Sequence, residues 1–228
     1  MIEIPGHKSG PTFLVLHGYG ADAQDLAPLS HAFTVPVGTH WLIPNGPLEI
    51  PLGPHYSGRA WAPINMAEWQ MAIMQGRPRD LANEKPPEMV TSQKAVVDML
   101  KSVGKSLEET VLVGFSQGAM LATQLAFTSP VKPKDLIILS GTLINQQEWL
   151  NQSQTMAGFK YFQCHGKFDE VLPLNGAQKL NDLLKQSGAE GEFFVFEGGH
   201  EIPPTAIQKA QEYILNLFPE EAFHEDHL

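Results

Sequence analysis

The chain has 228 residues, 43 % of them hydrophobic and 18 % charged, with 25 Asp and Glu against 15 Lys and Arg for a formal charge of −10. That length and apolar content suffice for one self-sufficient core and exclude a disordered chain, so residues 1–228 are expected to form a single domain. The negative charge argues against nucleic acid and anionic lipid surfaces as partners, and the lone Cys164 excludes an internal disulfide and a cysteine-rich metal site.

No basic stretch followed by an apolar run opens the sequence, and no apolar run approaches the ~18 residues of a membrane span. A soluble, cytoplasmic protein without stable membrane insertion is the expectation. In chain order, the pattern predicts a strand over 12–17, a helix over 22–33 capped by Asp22, and a strand over 40–43. A helix over 86–103 follows, then a strand over 110–114 and a helix over 116–127. Strands over 136–139 and 161–165, a helix over 174–186, a strand over 192–197 and a helix over 202–218 complete the series. Most of the strand candidates are continuous apolar runs, which suits strands covered on both faces. The alternation with helices predicts an α/β fold, with a mostly parallel central sheet, helices on both faces and right-handed crossovers. Residues 220–228 read as a solvated acidic end.

Residues 45–85 break the alternation. They are too long for a simple connection and rich in Pro, Gly, Trp and Met. A short helix at about 65–75 would place Met66, Trp69 and Ile73 on one face. The segment reads either as a small or partial cap, with Trp61, Met66 and Trp69 lining an apolar substrate pocket, or as a satellite core beneath a long loop.

The strongest chemical signal is Gly114-Phe115-Ser116-Gln117-Gly118, directly after one predicted strand and directly before a helix. That context is the nucleophile elbow, in which a sharp turn presents a serine and small residues at positions two before and two after it avoid backbone collisions. A serine hydroxyl needs a base to become a good nucleophile. His200, in Gly198-Gly199-His200, follows the predicted strand 192–197, and Asp169 follows the strand 161–165. Both sit at the carboxyl ends of strands, where open α/β sheets build their sites. The order Ser116, Asp169, His200 is that of elbow enzymes, with the acid orienting the imidazole. Glu170 is the nearest rival for the acid; Asp182 is mid-helix and Asp135 opens its strand at the wrong end. An oxyanion requires convergent N–H donors. Gln117, next to the serine, supplies one, and Tyr19, in the glycine-rich His17-Gly-Tyr-Gly loop after the first strand, supplies the other.

His17 is expected to order that loop through hydrogen bonds, and His165 to be a structural histidine. The remaining histidines show no ligand spacing, so no metal is expected. Cys164 reads as a small buried hydrophobe, and Arg59 as a surface or structural residue. A hydrolase-fold binding protein that had lost catalysis would lack a triad member or the oxyanion loop; none is missing.

With these residues in hand, the chain resembles the carboxylesterase, phospholipase and acyl-protein-thioesterase family of α/β-hydrolases. The matching pieces are Leu16-His-Gly-Tyr-Gly20, Gly114-Phe-Ser-Gln-Gly-Ala-Met120, Leu139-Ser-Gly141, His165-Gly166 with Asp169, and Gly199-His200. The resemblance implies Ser116, Asp169 and His200 as a triad and the N–H groups of Tyr19 and Gln117 as the oxyanion hole. It implies a serine hydrolase of short to medium acyl esters, with acyl thioesters or lysophospholipids as alternatives, no cofactor, and often a homodimer. Arg59-Ala-Trp61 is followed by Ala62-Pro63 rather than by the acidic stretch usual in such chains, and 45–85 is long for them; both bear on specificity.

Overall fold

The computed structural model describes residues 1–7, 9–75 and 80–224; the side chains of Met66, Trp69, Ala72 and Ile73 lie outside that set. Strands β1 (Ile2–Ile4) and β2 (Thr12–Leu16) precede helices α1 (Ala23–Leu26) and α2 (Leu29–Ala32) and strand β3 (His40–Ile43). The long segment forms β4 (Leu48–Gly53), β5 (Tyr56–Ala60) and α3 (Met66–Met74). Then come α4 (Pro87–Ser102), β6 (Thr110–Phe115), α5 (Gln117–Thr128), β7 (Asp135–Leu139) and α6 (Gln146–Asn151). The chain ends through β8 (Lys160–Gly166), α7 (Leu174–Gln186), β9 (Glu190–Phe196) and α8 (Pro204–Leu217), with 3₁₀ turns at Ser153–Met156 and Glu220–Phe223. Among the described residues, no helix is long and apolar enough to cross a membrane.

Seven strands form one sheet in the order β1-β3-β2-β6-β7-β8-β9, with β1 antiparallel to β3 and every other pair parallel. The expected mostly parallel sheet is therefore present, and the apolar runs explain it. Alternate residues of each run serve opposite faces. Leu14, Leu16, Leu112, Leu136 and Ile138 pack in a cluster with residues of α4, α5, α6 and α7. Phe13, Val15, Val111, Val113, Ile137 and Leu139 pack on the other face with residues of α1, α2 and α8. The α5 helix is buried from Gln117 to Phe127, as its near-unbroken apolar sequence requires of a central helix.

Three expectations are corrected. The single helix over 22–33 is two one-turn helices. Asp22 does cap the first, accepting from the Gln24 N–H at 2.7 Å, while the Asp25 side chain accepts from the Asp22 N–H at 2.8 Å. Pro28 then ends the run, because it lacks the N–H that a continuing helix would use. The edge strand β1 was not expected, since Ile2-Glu-Ile4 is too short a pattern to be legible. Nor was the β4–β5 hairpin, an antiparallel pair with an irregular register near Pro51 and Gly53. The helix expected at 65–75 is present as α3.

Candidate active site

The chain changes direction across the sheet between β2 and β6. From β2 it runs outward to β3, and from β6 it runs the other way through β7, β8 and β9. Such a switch point opens a crevice at the carboxyl ends of the strands. The loop from His17 follows β2 there, and the turn at Ser116 follows β6.

The turn is tight. Ser116 has φ 54° and ψ −118°, a left-handed conformation that a non-glycine residue adopts only under constraint. Its flanking glycines are sterically required. A Cβ on Gly114 would stand 2.5 Å from Ala119 Cα and from Gly118 O, and one on Gly118 would collide with Leu16 O. The strained Ser116 is held by its own N–H, which donates to Leu139 O at 3.0 Å, and by its carbonyl, which accepts from the Ala119 and Met120 N–H groups.

Ser116, His200 and Asp169 are brought into one chain of contacts. His200 Nε2 lies 2.8 Å from Ser116 Oγ, and His200 Nδ1 lies 2.7 Å from Asp169 Oδ2. A carboxylate accepts only, so Nδ1 carries the proton and Nε2 is left to accept from the serine hydroxyl. Asp169 is buried, and its Oδ1 accepts from the Val171 and Leu172 N–H groups at 2.9 and 2.8 Å. These two bonds fix the carboxylate plane and aim Oδ2 at His200. Glu170, the rival acid, is exposed. The Phe115 ring packs against the His200 imidazole with centroids 5.0 Å apart.

His165 sits behind the acid. It is fully buried, with Nε2 2.7 Å from Leu172 O and 3.3 Å from Asp169 Oδ2. The Leu172 carbonyl can only accept, so Nε2 is the protonated nitrogen. Burial holds the imidazole below its ordinary pKa, so it stays neutral. Its link to Asp169 was not read from the sequence, although the four-residue spacing across the end of β8 was available.

His17 orders the β2 loop. Gly46 N–H donates to His17 Nε2 at 2.9 Å, so the proton must be on Nδ1, which reaches Gly18 O at 2.7 Å. Burial again favours the neutral ring. Tyr19, Ser116, Gln117 and His200 face one cavity of about 900 Å³. Gln117 is the first residue of α5, so its N–H has no acceptor within the helix. The cavity floor is made by Met89, Met120, Ile144 and Leu172, all buried, with Pro63, Ile64 and Leu81 from the long segment along one side. None of the floor residues was foreseen; they come from separate elements, and nothing local marks them.

Trp61 is a correction. It was expected to line the pocket, but it is 1 % exposed and is not among the cavity residues. Its indole N–H donates to His17 O at 2.8 Å and its backbone N–H to Gln117 Oε1 at 2.8 Å, so it lies beneath the site rather than in its wall. Met66 and Trp69 fall in α3, but their side chains lie outside the described residues. Within 45–85, Pro63, Ile64 and Leu81 face the cavity, while Trp61, Ala62 and Ala82 join the core. Cys164 is buried and its thiol is pushed up to about 12, so it is held as the inert thiol. Among the described residues, no group of three or more His, Cys, Asp or Glu side chains is placed to hold a metal ion.

Comparison with known proteins bears on the family and the fold. A lysophospholipase-like protein 1 from Mus musculus is 28 % identical over 130 residues, covering 55 % of this chain and 54 % of that protein. An acyl-protein thioesterase 1 from Eremothecium gossypii is 30 % identical over 132 residues, covering 51 % of this chain and 55 % of the relative. The chain thus spans about half the length of the curated relatives it matches. The crystal structure of esterase PE8 superposes with a TM-score of 0.73 at 22 % identity, covering 95 % of this chain and 98 % of that one, and the shared fold is the α/β-hydrolase fold. The Phospholipase/Carboxylesterase family profile matches residues 1–217, and the chain belongs to that family.

Proposed function

We propose that the protein is a serine hydrolase that cleaves carboxylic esters of short to medium acyl chains through an acyl-enzyme. The observation that carries this reading is the unbroken contact from Ser116 Oγ through His200 to Asp169. Ser116 Oγ attacks the ester carbonyl as its proton passes to His200 Nε2. The tetrahedral oxyanion is met by the N–H groups of Tyr19 and Gln117, and collapse expels the alcohol, which takes the proton from His200. Water, deprotonated by the same imidazole, then attacks the acyl-enzyme, and Ser116 recovers its proton as the acid departs. Asp169 holds the imidazole tautomer throughout and stabilises the imidazolium.

The cavity supports an apolar acyl group. Its floor of Met89, Met120, Ile144 and Leu172 presents no charge, and a volume of about 900 Å³ lies in the usual range for small-ligand sites. Acyl thioesters and lysophospholipids fit the same machinery, because it acts on the carbonyl rather than on the leaving atom, and the names of the relatives point in those directions.

The test is hydrolysis of p-nitrophenyl acyl esters from acetate to palmitate by the wild type and by Ser116→Ala. Turnover should peak at short or medium chains and fall by about 10⁴–10⁶ in the variant, since triad members act as a unit. Unchanged turnover in Ser116→Ala would end the proposal.

A further inference from the structure

The parallel pairing of β2 with β6 stops at Leu16 and Gly114. Beyond it, the loop that carries Tyr19 and the turn into α5 that carries Gln117 leave the sheet, and no ladder keeps them in register. Residues 59–62, at the end of the β4–β5 hairpin, take up the link. Gly20 N–H donates to Arg59 O at 2.8 Å, and Arg59 N–H donates to Ala21 O at 2.9 Å, so the Tyr19 loop is paired to β5. Two residues on, Trp61 N–H donates to Gln117 Oε1 and Gln117 Nε2 donates to Ala62 O, both at 2.8 Å, so the elbow is clamped by the same segment. The Trp61 indole N–H closes the bridge on His17 O at 2.8 Å, and the indole packs against the His17 ring with centroids 5.0 Å apart. The Trp61 carbonyl is itself anchored by Ser92 Oγ at 2.5 Å. Trp61, His17 and Ser92 are buried, so a group deprived of its partner here finds no water to replace it.

We infer that Trp61 is a positioning residue for the oxyanion hole, setting the separation of the Tyr19 and Gln117 N–H groups. The inference rests on the proposed serine-hydrolase mechanism. It follows because an oxyanion is stabilised only by donors about 2.7–3.1 Å from where its charge develops, and a slack of roughly 1 Å in a supporting shell is enough to lose that gain. Trp61 touches no reacting atom. It acts through His17 and Gln117, and its loss should weaken binding of the transition state while sparing binding of the ground state.

The test compares the wild type with Trp61→Phe, which keeps an aromatic ring and removes the indole donor. Three quantities are measured: kcat/KM on a p-nitrophenyl ester, Ki of the trifluoromethyl ketone of the same acyl chain, and Ki of the matching non-hydrolysable ether. The ketone accepts Ser116 Oγ at its carbonyl carbon. Its C=O electron pair becomes the alkoxide in the hole and the serine proton goes to His200 Nε2, whereas the ether forms no oxyanion. In Trp61→Phe, kcat/KM should fall about 10- to 100-fold and the ketone Ki should rise in parallel, with the ether Ki unchanged. Ser92→Ala, which releases the Trp61 carbonyl, should shift the same two quantities in the same direction by less, and it carries the test if Trp61→Phe does not fold. Equal weakening of ether and ketone would show that Trp61 shapes the pocket only, and no change in either would show that it is packing alone; both overturn the inference while leaving the hydrolase intact. A wild type inert towards both ester and ketone would overturn the hydrolase reading, and this inference with it.

Discussion

Asp135 sets a charge against its own burial. It opens β7 with no solvent exposure, accepts through Oδ1 from Tyr213 Oη at 2.7 Å and from the Leu136 N–H at 2.8 Å, and has no hydrogen-bond partner at Oδ2 among the described residues. Burial raises its carboxyl to about 7, against the partial relief of Tyr213, Leu136, Lys160 and Lys134. In the unfolded chain the same group titrates near ~4. Between those values the native state holds a proton that the unfolded state has released, so its contribution to stability declines as pH rises from about 4 to about 7 and is then constant. Asn at this position keeps the Oδ1 acceptor and cannot ionise. Asp135→Asn should therefore gain stability relative to the wild type by roughly 2–4 kcal/mol between pH 5 and pH 8, whatever its fixed offset. Denaturant midpoints at the two pH values measure this, and parallel pH profiles would contradict it. That Ser116, Asp169 and His200 meet was legible because each lies just past the carboxyl end of a strand, so local pattern sets their place. The contacts of Trp61 and His165 were not, because they depend on which segments meet in space: the indole of one finds a carbonyl 44 residues away, and the other packs behind Asp169.

The elbow is the element in which sequence and stability are most tightly joined. Strand β6 must hand over to α5 within one residue, and Ser116 accepts a positive φ because the residues two before and two after it carry no side chain. Gly118 is the stricter of the two glycines. An added methyl would meet the carbonyl oxygens of Leu16 and His17, which belong to the neighbouring strand and the loop after it and cannot retreat without breaking the β2–β6 pairing. Gly118→Ala should cost about 3 kcal/mol, a lowering of Tm by roughly 6–12 °C at this chain length. Gly53→Ala, where an added Cβ meets nothing within 4 Å, should leave Tm nearly unchanged. Calorimetry of both variants checks the pair, and equal Tm values would show that the elbow yields. Elements of this kind were legible where periodicity and punctuation agree, as in α7, whose observed span Leu174–Gln186 coincides with the expected one. They were illegible where tertiary context overrides pattern. The β4–β5 hairpin carries Pro51 and Pro54, which argue against a strand, yet it pairs because β5 also bonds to the Tyr19 loop.

For the whole molecule, the two-sided core leaves a crevice at the switch between β2 and β6, in a chain of net negative charge. A formal charge of −10 produces a field that a neutral ester does not feel and a cationic one does. Glu88, on the first turn of α4, is among the cavity-lining residues, which places part of that acidity beside the cavity. Screening decides how far the field reaches, with a Debye length of about 30 Å at 0.01 M salt and about 3 Å at 1 M. For two acyl esters of equal chain length, one with a neutral alcohol and one with a quaternary-ammonium alcohol, kcat/KM of the cationic ester should fall by about tenfold between those salt concentrations while that of the neutral ester stays level. The neutral ester controls for salt effects on the fold and on the apolar floor, so the ratio of the two isolates the field. A ratio independent of salt would mean that the acidic groups are spread away from the crevice or matched by cations near it, and that the alcohol side of the substrate is chosen by contact rather than by charge.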